Sequence, residues 1–115
     1  MASLYDKLKH LIMRSSKEET FSPTVELAVD KIMSDLPIID RDRIANMDEK
    51  RLIAFHHNYG IYIKNEFRLW GNEPLLKSCC ELSGLSKVNT DQASYIILKE
   101  LQRKINEIDV LKAVK

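Results

Sequence analysis

The chain has few residues that interrupt helices and few that cross-link. Its 115 residues include three glycines, three prolines and two cysteines. The cysteines, Cys79 and Cys80, are adjacent, and neighbouring side chains on a helix point about 100° apart, so a disulfide between them is unfavourable. Two thiols without CxxC spacing are typical of a reducing compartment, and we expect a cytoplasmic protein.

Long apolar runs and an excess of one charge are also absent. No apolar run approaches the roughly 20 residues that a helix needs to span a bilayer, so we expect no membrane segment. Residues 1–16, MASLYDKLKHLIMRSS, lack the apolar run and cleavage site of a signal peptide. Lysine and arginine number 18 and aspartate and glutamate 17, a formal charge of +1. This balance makes a nucleic-acid partner unfavourable, because such proteins usually have a basic face.

The residues that are abundant, and their spacing, predict helices. Hydrophobic residues make up 44% of the chain, enough for one core without disulfides or metal. No segment alternates apolar and polar residues long enough to form a sheet. We therefore predict an all-α fold, a compact bundle of four to five helices in a single domain over 1–115. Residues 22–112 form its core, and 1–21 form either its first helix or a flexible arm.

Capping residues and helical periodicity give the expected helix boundaries. Ser22 should cap a helix that Pro37 ends, and Asn89 with Gln92 forms a capping-box-like pair for the last helix. Asn46 with Glu49 forms a similar pair at the start of the helix predicted over 46–70. The predicted helices cover 4–14, 22–36, a short turn after Pro37, 46–70, 74–82, and about 90–110 or beyond.

The helix predicted over 46–70 carries two polar residues on its apolar face. At 100° per residue, this face is about 140° wide and includes the aromatic residues. His56 and Glu66 fall inside it, whereas Lys64 and Asn65 fall outside. Glu66→Ala should therefore destabilise the fold more than Lys64→Ala, because a buried carboxylate needs a partner.

Structural roles explain both polar residues. Glu66 could bind the start of another helix near Asp91, or form an ion pair. His56 could be a core histidine with one nitrogen bonded to backbone. The alternatives are a functional carboxylate and imidazole in a cleft. Ten residues separate the two along a helix, about 15 Å, so they cannot form a direct acid–base pair.

A longer pattern contains both residues. It is Phe55-His56-x-x-x-Gly60-x-x-Ile63-Lys64-Asn65-Glu66-Phe67-x-Leu69-Trp70, followed by Asp91-Gln92-Ala93-Ser94. The pattern resembles a family of small, mostly bacterial proteins catalogued as a domain of unknown function, whose signature is close to FHxxxGxxIRNxxxLW with a DDAS-like helix start. Lys64 stands where arginine is common, and Gln92 replaces an acidic residue. The resemblance implies kinship and fold; by association it suggests a toxin-neutralising partner.

Other patterns give alternative hypotheses. Residues 75–97 resemble a helix-turn-helix, which would make the protein a DNA-binding regulator. The last helix has a short heptad-like run, Leu98, Leu101, Ile105 and Ile108, which either packs in the bundle or forms a homodimer seam. The histidines and cysteines match no metal-binding or nucleophile motif. We expect no metal, no cofactor and no enzymatic activity.

The favoured hypothesis is a non-catalytic protein-interaction module, with another protein or a second copy as its partner. Arg68 and Trp70, with Asn72 and Glu73, are the candidate contact surface, because tryptophan and arginine are common at binding hot spots. The alternative is that Trp70 closes the core. The candidate interaction or structural polar residues are His56, Asn65, Glu66, Arg68, Trp70 and Asp91.

Overall fold

A computed structural model describes residues 22–114, with side chains to residue 108. Within this range the chain is all-α and has no strand, which confirms the predicted fold class. The predicted helix over 4–14 and the arm over 1–21 lie outside it. No helix between residues 22 and 114 is long and apolar enough to cross a bilayer. The five helices are α1 (Val25–Asp35), α2 (Ile38–Ala45), α3 (Glu49–Glu66), α4 (Glu73–Ser83) and α5 (Thr90–Val114).

The last helix, α5, is the hub of the bundle. It packs against each of the other four helices. Its buried stripe follows helical spacing and comprises Ala93, Ile97, Leu98, Leu101 and Ile105. Three of the four residues of the heptad-like run, Leu98, Leu101 and Ile105, therefore pack inside the bundle, which is one of the two alternatives predicted.

Helix α1 begins two residues later than predicted. Thr24, not Ser22, is its N-cap, and the Thr24 side chain accepts from the backbone N–H of Leu27 at 3.1 Å. Ser22 instead offers its carbonyl to the side-chain amide of Asn72, at 3.1 Å. The N–H of Val25 donates to Ser78 Oγ at 2.9 Å. These contacts join the start of α1 to α4 and to the turn before it.

Helix α3 also begins later, at Glu49. Asp48 is its N-cap and accepts from the N–H of Arg51 at 2.8 Å. The capping box predicted for Asn46 and Glu49 is wrong, because the Asn46 side chain donates back to the carbonyl of Asp42, at 2.8 Å, and ends α2. Asn46 thus satisfies a carbonyl that the end of α2 leaves without an intrahelical partner.

The predicted continuous helix to Trp70 is wrong at its end as well. Helix α3 stops at Glu66, Arg68 takes a left-handed conformation with φ of 51°, and Leu69–Gly71 form a 3₁₀ turn. Phe67 and Leu69 are both buried, at 2% and 0% exposure. In a regular helix these two side chains would point about 200° apart, so the break allows both to enter the core.

The boundaries of α4 and the start of α5 agree with the sequence. Asn72 caps α4, its Oδ1 accepting from the N–H of Leu75 at 3.3 Å. Gly84 ends α4 in the left-handed conformation, with φ of 83°. The capping box of α5 is present: Asn89 and Gln92 each accept a hydrogen bond from the other's backbone N–H, at 2.7 and 2.9 Å.

Candidate functional site

The two segments of the sequence pattern meet where α3 crosses α5. His56 on α3 lies with its Nε2 atom 2.6 Å from Ser94 Oγ on α5. Ser94 Oγ donates to the carbonyl of Asp91 at 2.9 Å. That bond uses the only hydroxyl proton, so His56 Nε2 carries a proton and donates it to Ser94 Oγ. His56, Gly60, Lys64, Asp91 and Ser94 together form what we call the polar cluster.

Gly60 provides the space for the His56 ring. A Cβ atom at residue 60 would lie 2.7 Å from His56 Nε2 and 2.8 Å from its Cδ2. Residues four apart on a helix lie on the same face, so any larger residue would displace the imidazole from Ser94. Gly60 thus accommodates a side chain of its own helix.

Lys64 and Asp91 form the second contact of the cluster. Lys64 Nζ lies 2.5 Å from Asp91 Oδ1, and the hydrogen bond and charge of Lys64 lower the pKa of Asp91. Asp91 also occupies the first turn of α5, where the helix dipole favours a negative charge. Of the two structural roles expected for Glu66, the contact near Asp91 is made by Lys64 instead, and the ion pair is the one observed, with Lys31.

Glu66 lies away from the cluster. Its carboxylate is 3.8 Å from Lys31 Nζ on α1, and its side chain is 34% exposed. His56 and Glu66 are thus in separate places, as predicted. His56 contacts α5, and Glu66 contacts α1. Asn65 is exposed and stands outside both contacts.

Burial determines the ionisation of His56. Desolvation lowers the pKa of His56 most; Asp91 raises it, and Lys64 and His57 lower it. The edge of the Tyr95 ring lies against the imidazole, with ring centroids 5.3 Å apart. Beside the ring is an open depression of about 390 Å³, lined by His56, His57, Gly60, Ile61, Lys64 and Asp91.

The geometry of the cluster does not suit nucleophilic catalysis. A serine hydroxyl within hydrogen-bond distance of a histidine is the arrangement that activates a serine nucleophile. Ser94, however, has 0% exposure. Its proton is directed to a backbone carbonyl, and no substrate atom can approach the oxygen without displacing packed side chains. The contact instead joins α3 to α5 through a hydrogen bond between a half-buried histidine and a buried serine.

Among the described residues, neither a cluster of metal ligands nor the buried thiol of Cys79 provides another reactive centre. Residues 22–108 contain no cluster of histidine, cysteine and acidic side chains that could hold a metal ion. His10 lies outside the described residues. Cys79 is buried, and burial, with a smaller effect of Cys80, raises the pKa of its thiol to about 12. A protonated, buried thiol is a poor nucleophile.

The turn after α3 presents Trp70 to solvent. Leu69 is fully buried, whereas Trp70 is 59% exposed, so the alternative that Trp70 closes the core is wrong. Arg68, also exposed, precedes it in the left-handed conformation. Asn72, a candidate contact residue, is structural: its side-chain amide donates to the carbonyls of Ser22 and Phe67, at 3.1 and 2.9 Å.

The sequence did not reveal two features of this region. Ser94 was part of the pattern but was given no role, because its partner is 38 residues away in the chain. Lys64 was placed on the solvent side, because helical periodicity does not show where another helix begins. The i, i+4 spacing of His56 and Gly60 was the one local indication that the imidazole needs space.

Comparison with known proteins identifies the family. The family model described as Domain of unknown function (DUF6794) matches residues 23–105, so the chain belongs to this family. No curated protein and no solved structure matches it. The match contains both segments of the pattern and the whole polar cluster, and it supports the predicted kinship with a domain of unknown function.

Proposed function

We propose that this member of the DUF6794 family is a non-catalytic protein-binding module that contacts its partner through the turn bearing Arg68 and Trp70. The observation that supports this most directly is the exposed indole of Trp70, at 59%, next to the fully buried Leu69. Tryptophan contributes large apolar area and is enriched at binding hot spots. An exposed tryptophan on a turn is therefore a suitable anchor for a partner.

The backbone of the turn supports the same proposal. Arg68 has a φ of 51°, the one positive φ of a non-glycine residue between residues 22 and 114. Such a conformation costs a non-glycine residue about 1–3 kcal/mol, and it is a common way for the chain to turn after a helix ends. The left-handed residue redirects the chain after α3 and places Trp70 outside the core.

The proposal that the protein is not an enzyme is supported by the polar cluster. The histidine and the serine that could form a catalytic pair are hydrogen-bonded to each other, but the serine is buried. Each polar group of the pair has a structural role in joining α3 to α5. A catalytic role would require at least the hydroxyl to be accessible.

The DNA-binding alternative receives little support from the contacts. The second helix of the supposed helix-turn-helix over 75–97 is α5, which packs against all the other helices. Six residues, 84–89, separate α4 from α5, longer than the three or four of a typical helix-turn-helix turn. The first turn of α5 carries Asp91, an acid unsuited to a phosphate backbone.

The proposal also includes the kind of partner that the turn would contact. We expect a second protein in the bacterial cytoplasm, with a toxin or a regulated enzyme as the leading candidates and a second copy of the chain as the alternative. A protein of this kind would act by occupying a surface of its partner. The near-neutral formal charge of +1 favours a contact dominated by apolar area over one dominated by electrostatics.

Site-specific photo-crosslinking tests this function. A benzophenone amino acid replaces Trp70 in one variant and Ile61, which is 54% exposed on α3, in a matched control. We expect a discrete crosslinked protein from position 70 in cells and none, or a different one, from position 61. With that protein purified, Trp70→Ala should weaken its binding about 30-fold while leaving the thermal midpoint unchanged.

Two results would contradict the proposal. One is identical crosslinking from both positions, which would indicate random collision. The other is full affinity of Trp70→Ala for the crosslinked protein.

A further inference from the structure

A depression lies between α1, α4 and α5, beside the first residues of α1. Its volume is about 520 Å³, within the range of about 300–1,000 Å³ that is usual for binding pockets. Among its apolar lining residues, Val25 and Val29 are buried, whereas Leu82 is 50% exposed. The charged residues that line it are Glu26 from α1, Glu81 from α4, and Glu100, Arg103 and Lys104 from α5. We call this depression the acidic groove.

Both cations of the acidic groove already have carboxylate partners. The Nε and Nη2 atoms of Arg103 lie 2.9 and 2.6 Å from Glu100 Oε2, and its Nη1 atom lies 3.6 Å from Glu107. Lys104 Nζ lies 3.6 Å from Asp30 on α1. Neither cation is therefore available to balance the two remaining carboxylates of the lining.

Those two carboxylates, Glu26 and Glu81, have no ion-pair partner among residues 22–108. Glu26 lies in the first turn of α1, where the helix dipole favours an acid. Glu81 lies in the last turn of α4, which has no basic residue and where the dipole disfavours an acid. Glu81 and its exposed neighbour Leu82 therefore suit an occupant that carries lysine or arginine beside leucine.

The chain's own sequence has this pattern over residues 4–14. The apolar residues of the predicted helix share one face and are Leu4, Leu8, Leu11 and Ile12. At 100° per residue, Lys7 and Arg14 lie on one edge of that face, about 80° and 100° from its centre, and Asp6 lies on the opposite side. Lys9 lies on the other edge, so the segment has three basic residues and one acid.

The connection between this segment and the groove is short. Residues 15–21, seven in number, span at most about 25 Å. The carbonyl of Ser22 accepts from the side-chain amide of Asn72 at 3.1 Å, and Thr24, two residues further, lines the groove. A short tether from a fixed point keeps a segment at an effective concentration of the order of mM near its site.

We propose that residues 4–14 of this chain bind in the acidic groove as a helix, with the leucine face against Leu82 and the edge bearing Lys7 and Arg14 beside Glu81. The unpaired carboxylate, the exposed leucine and the short connection each support this occupant. The segment precedes residues 23–105, which the family model matches, so the contact adds to the family's fold. The groove does not include Trp70, so this inference is independent of the function proposed above.

Two leucines provide matched positions for photo-crosslinking in the full chain. Leu82 is 50% exposed in the groove, and Leu27 is 49% exposed on α1. At 100° per residue, Leu27 lies about 150° from the centre of the three helical residues of α1 that line the groove. A benzophenone amino acid at position 82 should crosslink to residues 4–14 of the same chain, and one at position 27 should not. Mass spectrometry of the digested protein identifies the crosslinked residues.

Variants of both partners test the proposed contacts. Glu81→Lys should lower the yield of the crosslink from position 82 about threefold, because it replaces an attraction by a repulsion. Adding Lys7→Glu to this variant should restore part of the yield, whereas adding Lys9→Glu, the same change on the other edge, should restore none. Leu8→Glu combined with Leu11→Glu should abolish the crosslink, because the apolar face is lost.

Several outcomes would overturn this inference. Equal yields from positions 82 and 27 would indicate random collision, and no crosslink from position 82 to residues 4–14 would leave the groove without this occupant. A product of twice the chain's mass would assign the groove to a second copy of the chain. Equal restoration by Lys7→Glu and Lys9→Glu would contradict the assigned edge. Capture of a separate protein from position 70 would still support the proposed function in each of these cases.

Discussion

On the side of α3 that faces α5, polar atoms meet within hydrogen-bond distance, whereas on the side that faces α2, aromatic rings line an open groove. His56 and Ser94 are 2.6 Å apart on the first side. On the second side Phe55 and Tyr59 contact each other and border about 210 Å³ of unfilled volume. One helix thus carries a face whose contacts are completed within the chain and a face that has room for another molecule.

The difference shows which part of the sequence pattern is structural. His56, Gly60 and Lys64 belong to the first side, and their partners Ser94 and Asp91 belong to the second segment of the pattern. These residues of the pattern therefore hold α3 on α5, whereas Phe55, the first residue of the pattern, borders the gap on the α2 side.

Of the variants that test this comparison, Gly60→Ala should change the free energy of unfolding most. Alanine in place of a helical glycine normally stabilises by about 1 kcal/mol. Here the new Cβ would lie 2.7 Å from His56 Nε2, and overpacking costs about 1–3 kcal/mol with the Ser94 hydrogen bond lost in addition. We expect a net destabilisation of about 2 kcal/mol, measured by urea unfolding.

The control for this variant is the double substitution His56→Ala with Gly60→Ala. Without the imidazole the three nearest contacts of the added methyl group are absent, so Gly60→Ala should then stabilise, by up to about 1 kcal/mol. A single Gly60→Ala variant more stable than the original chain would show that the glycine is not required by the imidazole.

Protonation of His56 should have the next largest effect on the stability of the fold. Its folded-state pKa is lowered, chiefly by burial, so between that pKa and the ordinary value near 6.5 the unfolded chain binds more protons than the folded one. Stability should therefore rise with pH through this window and fall as the pH drops below about 6.5. The Nε2–H bond to Ser94 survives protonation, so the effect reports the cost of a buried charge.

Urea unfolding between pH 7.5 and 5 measures this dependence. His56→Gln should reduce its slope much more than His57→Gln, because burial is the largest cause of the lowered pKa of His56 and the charge of His57 is the smallest. If stability changed equally with pH in the original chain, His56→Gln and His57→Gln, His56 would have the same pKa in the folded and unfolded states.

The sequence was sufficient for the parts of the fold that depend on local chemistry. Gly84, the Asn89–Gln92 capping box and the buried stripe of α5 were all predicted, because each follows from neighbouring residues and helical periodicity. The errors occurred where tertiary contacts override local preference. Burial of both Phe67 and Leu69 ends α3 four residues early, and Asn46 caps the preceding helix instead of the following one.

The candidate site was predicted in part for the same reason. The position of His56 on an inward face follows from periodicity, but Ser94 and Asp91 are brought to α3 only by the packing of α5. The exposure of Trp70 depends on the left-handed Arg68, a conformation that an arginine gives no reason to expect. The gap between α2 and α3 could not be foreseen either, because it depends on the relative positions of two packed helices.

The smallest expected effect distinguishes the two charged residues near the end of α3. Periodicity alone predicts that Glu66→Ala destabilises more than Lys64→Ala. The structure reverses that expectation, because Lys64 lies 2.5 Å from Asp91 with a side chain 27% exposed, whereas Glu66 lies 3.8 Å from Lys31 and is 34% exposed. We therefore expect Lys64→Ala to lower the thermal midpoint more than Glu66→Ala.

Lys31→Ala is the matched control for the Lys64 variant, since it removes the same charge from the weaker pair and should resemble Glu66→Ala. High salt should reduce the difference between the Lys64 and Lys31 variants, because Lys64 and Asp91 are partly accessible to screening ions. If Glu66→Ala proves the more destabilising, the carboxylate has a stronger partner than Lys31, and the end of α3 packs more tightly on α1 than the 3.8 Å contact indicates.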